Sequence, residues 1–166
     1  MYQGSLQMDM HGFTMLEMVI VIVILGIMAA MAIPLWPGSS INIGAGADQL
    51  AADLLYTQSL AITSGQRYFW IMTGTTTYQI RNSAGTAITY PGTGSTTINL
   101  NAGTSFSTLT NLPSSLVLFD GKGQPYTTSV ITGGTRLAAS ATIRIIAGGI
   151  TKSVIIYPNT GYVVVQ

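Results

Sequence analysis

The chain has 166 residues, 48% of them hydrophobic and only 7% charged, with a formal net charge of +1 and no cysteine. That length holds one domain with its own core plus a short appendage, and the hydrophobic content excludes a disordered chain, whose signature is low hydrophobicity with high net charge. The lack of cysteine excludes a disulfide framework, a thiolate nucleophile and cysteine metal sites, while the near-neutral balance argues neither for nor against an anionic partner.

The first twelve residues contain no Lys or Arg, only Asp9 and His11, so the positive-inside rule gives no orientation. From Met18 to Ile33 the chain is uncharged and dominated by Val, Ile, Met, Leu and Ala. That run falls between the apolar region of a secretory signal and a spanning helix. Extended back to Phe13 it makes about 21 residues and roughly 32 Å of helix, enough to cross a bilayer. The extension includes Glu17. A charge at the centre of a spanning helix costs about 2.5–3.5 kcal/mol, less near an end, so such acids are usually functional and partnered.

Three readings compete. Ala30-Met31-Ala32 has the A-x-A form of a signal cleavage site, which would release a soluble β-protein beginning at Ile33. The segment could instead be a plain N-terminal anchor. In the third reading the chain is cut after Gly12, so that Glu17 lies one helical turn from the new amine of Phe13, its own or a neighbour's. Only this third reading gives the acid a partner.

Gly12-Phe13-Thr14-Met15-Leu16-Glu17, the apolar run and Pro34 together resemble the N-terminus of type IV pilins and type II secretion pseudopilins. The resemblance implies cleavage by a prepilin peptidase between Gly12 and Phe13, N-methylation of Phe13, and Glu17 pairing with the amine of an adjacent subunit during assembly. It further implies a helix kinked at Pro34, an inner-membrane assembly platform and fellow pilins or pseudopilins as partners, and a single-pass inner-membrane protein with its C-terminal domain in the periplasm.

Residues 37–46, with Pro37, Gly38, Ser39, Ser40, Gly44 and Gly46, read as a break rich in helix-disrupting residues. Beyond it, 47–65 predicts an amphipathic helix, with Ala47, Leu50, Ala51, Leu54, Leu55, Ala61 and Ile62 near helical spacing and Gly65 as a stop. The remainder, 66–166, reads as β-rich. Strands are expected over 67–73, 77–82 and 116–119, and 142–147, 150–157 and 162–165 form a meander around Gly148-Gly149 and Pro158-Asn159-Thr160-Gly161. A two-residue loop at Gly148-Gly149 places Arg144 and Lys152 on opposite faces. Residues 83–115 read as loops with short strands such as 97–100.

Leu50 to Ile62, Phe119-Asp120-Gly121-Lys122-Gly123-Gln124-Pro125 and Asn159-Thr160-Gly161-Tyr162-Val163 resemble the H-type pseudopilin and FimT group of minor pilins, with MSHA minor pilins similar. The implied fold is α+β: a spanning helix over 13–36 after a leader of 1–12, and an amphipathic helix packed on an antiparallel β-rich domain. The implied function is a subunit that helps initiate or cap a type IV pilus or type II secretion pseudopilus.

No catalytic or metal constellation is evident. His11, the only histidine, lies in the expected leader. Asp120-Gly121 reads as a tight turn, since calcium takes six or more oxygens and no second acid is near. No cofactor is expected, and Tyr68, Phe69 and Trp70 read as core. Lys122, Arg136, Arg144 and Lys152 follow Asp120 with no further acid, and some relatives of FimT type bind DNA during uptake. Phosphate contacts need such residues on one surface, which leaves a DNA-binding minor pilin as the alternative.

Overall fold

The computed structural model describes residues 14–32, 38–128 and 134–166. The chain divides into two compact units, Met1–Pro37 and Gly38–Gln166.

The first unit contains α1, Met15–Ala32. Its 18 residues make about 27 Å of helix, shorter than a hydrocarbon core of about 30 Å. Among the described residues no helix is long and apolar enough to cross a membrane. The expected span of 13–36 is described for Met15–Ala32 alone; Gly12, Phe13 and Pro34, with the cleavage site and the kink, lie outside the described residues, as does His11. Every side chain from Met15 to Ala30 is exposed. A helix apolar on all sides has no one face to bury and needs apolar surroundings all round.

The second unit opens with α2, Gly38–Ser64, a single uninterrupted helix. The break expected over 37–46 is therefore absent from Gly38 onward, and the helix expected at Ala47 begins nine residues earlier. The reason is tertiary. Ile43, Ala47, Leu50, Leu54 and Ala61 form one buried stripe with spacings of three, four and seven residues. Burying Ile43 contributes about 1.5–3 kcal/mol, enough to offset about 1 kcal/mol lost at each helical glycine. Gly46 lies on the packed side of the helix, where a Cβ would make ordinary contacts with Thr104 Cγ2 at 3.6 Å and Ile145 Cδ1 at 3.7 Å. Leu55 and Ile62, expected on the buried stripe, are 43% and 52% exposed. Gly65 follows the helix at φ +65°, the left-handed end that glycine permits.

Two antiparallel sheets complete the unit. The first is ordered β3-β2-β1-β5-β6, built from β1 (Tyr68–Met72), β2 (Thr77–Asn82), β3 (Ile98–Asn99), β5 (Leu116–Phe119) and β6 (Pro125–Tyr126). The second is ordered β4-β7-β8-β9, from β4 (Ser105–Thr110), β7 (Ala141–Ala147), β8 (Ile150–Ile156) and β9 (Val163–Val165). Helix α2 packs on β1 and β5 of one sheet and on β7, β8 and β9 of the other.

The meander β7-β8-β9 follows the expected register, with Ala147 opposite Ile150 across Gly148-Gly149. Both glycines have positive φ, as a two-residue hairpin turn requires. In β1 successive residues serve both faces. Trp70 joins the main core beside Tyr78 and Phe106, with ring centroids 5.5 and 5.7 Å away, and Phe69 joins a second cluster with Leu116, Leu118 and Tyr126. Strand β4 occupies part of the stretch expected to be loops. It pairs with β7 through a register shift between Phe106 and Thr108.

Candidate functional site

The described N-terminal site is the first turn of α1. Glu17 N–H donates to Thr14 Oγ1 at 3.2 Å and to Thr14 O at 3.1 Å. Thr14 thus caps the helix, and Glu17 occupies the third position of a Thr-x-x-Glu capping pattern. A carboxylate there also faces the positive end of the helix dipole.

The glycine-rich motifs of the second unit meet at Gln58. Its Nε2 donates to Gly123 O and to Thr160 O, both at 2.8 Å, and so ties the C-terminal third of α2 to the β5–β6 and β8–β9 turns. At Gly161, φ +67°, a Cβ would lie 2.6 Å from Gln58 Nε2 and 2.7 Å from Gly123 O. At Gly121 it would lie 2.9 Å from Gly65 O. Asp120 closes its turn as expected: Gly123 N–H donates to Asp120 O at 2.8 Å, and Asp120 Oδ1 accepts from Lys122 and Gln124 N–H, both at 2.9 Å. Among the described residues no cluster of His, Cys, Asp or Glu could hold a metal.

Asp53 is the one buried acid of α2, with 1% of its surface exposed. Its Oδ2 accepts from Tyr78 Oη and its Oδ1 from Tyr90 Oη, while Thr57 Oγ1 donates to Asp53 O at 2.7 Å. Burial pushes the Asp53 carboxyl above its usual range, and the two phenols partly counter this. Burial likewise pushes the Tyr78 phenol up. The Tyr90 phenol is pushed up to about 12, chiefly by its hydrogen bond to Asp53. Tyr90 stands edge-on to Tyr56, centroids 6.2 Å apart at 82°. Sequence reading missed this cluster because only Asp53 and Tyr56 lie on one element.

The four basic residues considered for nucleic acid are not gathered on one surface. Arg144 is exposed opposite Ser153, whereas Lys152 pairs with Ile145, on the other face of the same sheet. Arg136 donates from Nε to Tyr126 Oη at 3.3 Å and from a terminal nitrogen to Gln124 Oε1. The Arg67 and Arg136 guanidinium carbons lie 5.2 and 5.9 Å from the Tyr126 ring centroid. Lys122 projects from the Asp120 turn, whose acid accepts from Tyr126 Oη at 3.3 Å.

Residues 8–33 match the family described as the prokaryotic N-terminal methylation motif. The chain therefore joins that N-terminal motif to an α+β unit. Among solved structures it is similar to the minor pseudopilin EpsH from the type 2 secretion system of Vibrio cholerae, at 15% identity and a TM-score of 0.54, covering 75% of this chain and 96% of that one. It also resembles the type IV minor pilin FimU of Pseudomonas aeruginosa in two crystal forms, at 12% and 14% identity, each with a TM-score of 0.49, covering 74% and 78% of this chain and 91% of the other in both. A comparison with curated proteins gives no match.

Proposed function

We propose that the chain is a minor pilin or pseudopilin, a structural subunit rather than an enzyme, that helps initiate or cap a type IV pilus or type II secretion pseudopilus. The observation that carries this reading is the methylation motif over residues 8–33 standing ahead of a pseudopilin-like fold. Prepilin peptidase cuts after Gly12, Phe13 becomes methylated, and α1 anchors the subunit in the inner membrane with the folded unit in the periplasm. The surface of α1, apolar on all sides beyond Glu17, supports this, since lipid and then neighbouring helices can surround it. The fold of EpsH favours the H-type pseudopilin subgroup.

Intact mass and N-terminal sequencing of the chain expressed beside a prepilin peptidase test the reading. The expected product begins at methylated Phe13. A product beginning at Ile33 identifies a secreted protein instead, and an uncut chain identifies a plain anchor.

A further inference from the structure

Two clefts flank Tyr90 along α2. One, of about 390 Å³, is lined by Ala52, Asp53, Tyr56, Tyr90 and Pro91. The other, of about 310 Å³, has Gln49, Tyr90 and Thr97 among its walls. The first has an uncommon chemistry. Its two aromatic walls meet nearly at right angles, and the same cleft is lined by the buried Asp53, whose carboxyl oxygens accept from the Tyr78 and Tyr90 hydroxyls. Aromatic faces attract an organic cation through their quadrupoles, and a buried acid nearby adds a charge that the low-dielectric surroundings screen poorly.

We propose that this cleft binds an alkylammonium group, with its stem against Ala52 and Pro91 and its charge over the Tyr56 and Tyr90 rings, attracted by the recessed Asp53 carboxylate. Burial already makes the uncompensated Asp53 charge unfavourable, so an arriving cation relieves a cost that the folded unit carries alone. Tyr90 controls the approach, because its hydroxyl occupies one carboxylate oxygen. The site lies wholly within the second unit, so the inference is independent of filament assembly.

The test titrates the full chain in detergent with n-butylammonium, following the ring resonances of carbon-labelled tyrosine. Tyr56 and Tyr90 should shift saturably, while 1-butanol, a neutral molecule of similar shape, should shift them little. Asp53→Asn should weaken binding about tenfold. Tyr56→Leu removes one wall without touching the hydrogen bonds of Asp53, so it should weaken binding several-fold in a protein that still melts cooperatively. Tyr90→Phe frees a carboxylate oxygen and should tighten it. Parallel titrations with cadaverine and with Nα-acetyl-lysine methylamide then assign the source: the tighter of the two marks a free amine or a polypeptide lysine. No saturable shift with any amine, an equal response to butanol, or unchanged binding by both Asp53→Asn and Tyr56→Leu overturns the proposal.

Discussion

The two helices of this chain solve opposite problems. Helix α1 is apolar around its whole circumference and leaves every side chain from Met15 to Ala30 exposed, with its one acid at the capped end. Helix α2 is longer and far less apolar, yet it buries a single stripe from Ile43 to Ala61 and its buried acid, Asp53, receives two hydroxyl groups from the chain itself. The difference teaches where each helix finds its stability. The second unit contains what α2 needs, whereas α1 requires apolar surroundings that its own unit does not supply.

The strongest way to break that comparison is to remove equal side chains from each helix. Leu54→Ala empties a fully buried position and should destabilise the second unit by about 2–5 kcal/mol. Leu25→Ala, at an exposed position of α1, should change the same unfolding transition by less than about 0.5 kcal/mol. Thermal denaturation in detergent reads both. Similar losses from the two substitutions would show that the stability of the second unit extends into α1.

A smaller loss should follow from Gln58→Leu. The substitution keeps the volume but strips Gly123 O and Thr160 O of a shared donor, at about 1–3 kcal/mol. Amide exchange should accelerate in both turns together. If only one turn responds, Gln58 does not couple them.

These experiments bear mainly on what the sequence left hidden. The Gly148-Gly149 hairpin was legible because a glycine pair stands between two runs of β-branched residues, and both glycines take the positive φ that such a turn needs. The bounds of β2 and β5 followed from compact runs of β-formers between turns. The start of α2 was not legible, since Gly38, Ser39, Ser40, Gly44 and Gly46 signal a break locally, and only the burial of Ile43 and Ala47 in a core made with distant strands shows what holds the helix there. Strand β4 has just two large apolar residues, Phe106 and Leu109, and its irregular pairing spoils the period of two. The Asp53 cluster joins residues 25 and 37 positions apart, beyond any local pattern. The Thr14-x-x-Glu17 cap was written in the sequence, beside a larger claim about the same acid.

A still smaller effect should appear as a trend with pH. Burial raises the Asp53 carboxyl above its usual 3.8, so between that value and the raised one the folded state binds more protons than the unfolded chain. The associated stability is fully present below 3.8 and is lost as pH rises through the raised value. Asn cannot titrate. The melting temperature of the parent should therefore fall relative to that of Asp53→Asn as pH increases from 3 to 7. A constant difference across that range would show that Asp53 is not raised.

The smallest effect on folding belongs to the acid of α1, and there the comparison becomes functional. Glu17 is exposed in the first turn, where Thr14 caps its N–H and the helix dipole favours its charge. Glu17→Val retains the Thr14 cap, which uses the backbone, and should move the unfolding of the second unit by less than about 0.5 kcal/mol. Removing the charge also eases insertion of an isolated apolar helix into lipid. If Glu17 served anchoring alone, the variant would therefore fractionate with membranes and assemble at least as well as the parent. If it neutralises the Phe13 amine of a neighbouring subunit, membrane fractionation and cleavage after Gly12 persist while recovery in purified filaments falls, because an unpaired charge then remains in an apolar interior. Glu17→Gln separates charge from shape, since it keeps the length and hydrogen-bonding capacity of the side chain and should assemble as poorly as Glu17→Val. Processing, membrane fractionation and filament recovery measured in one strain decide the matter, and normal recovery of both variants would sink the pairing role and leave Glu17 as a helix-end residue.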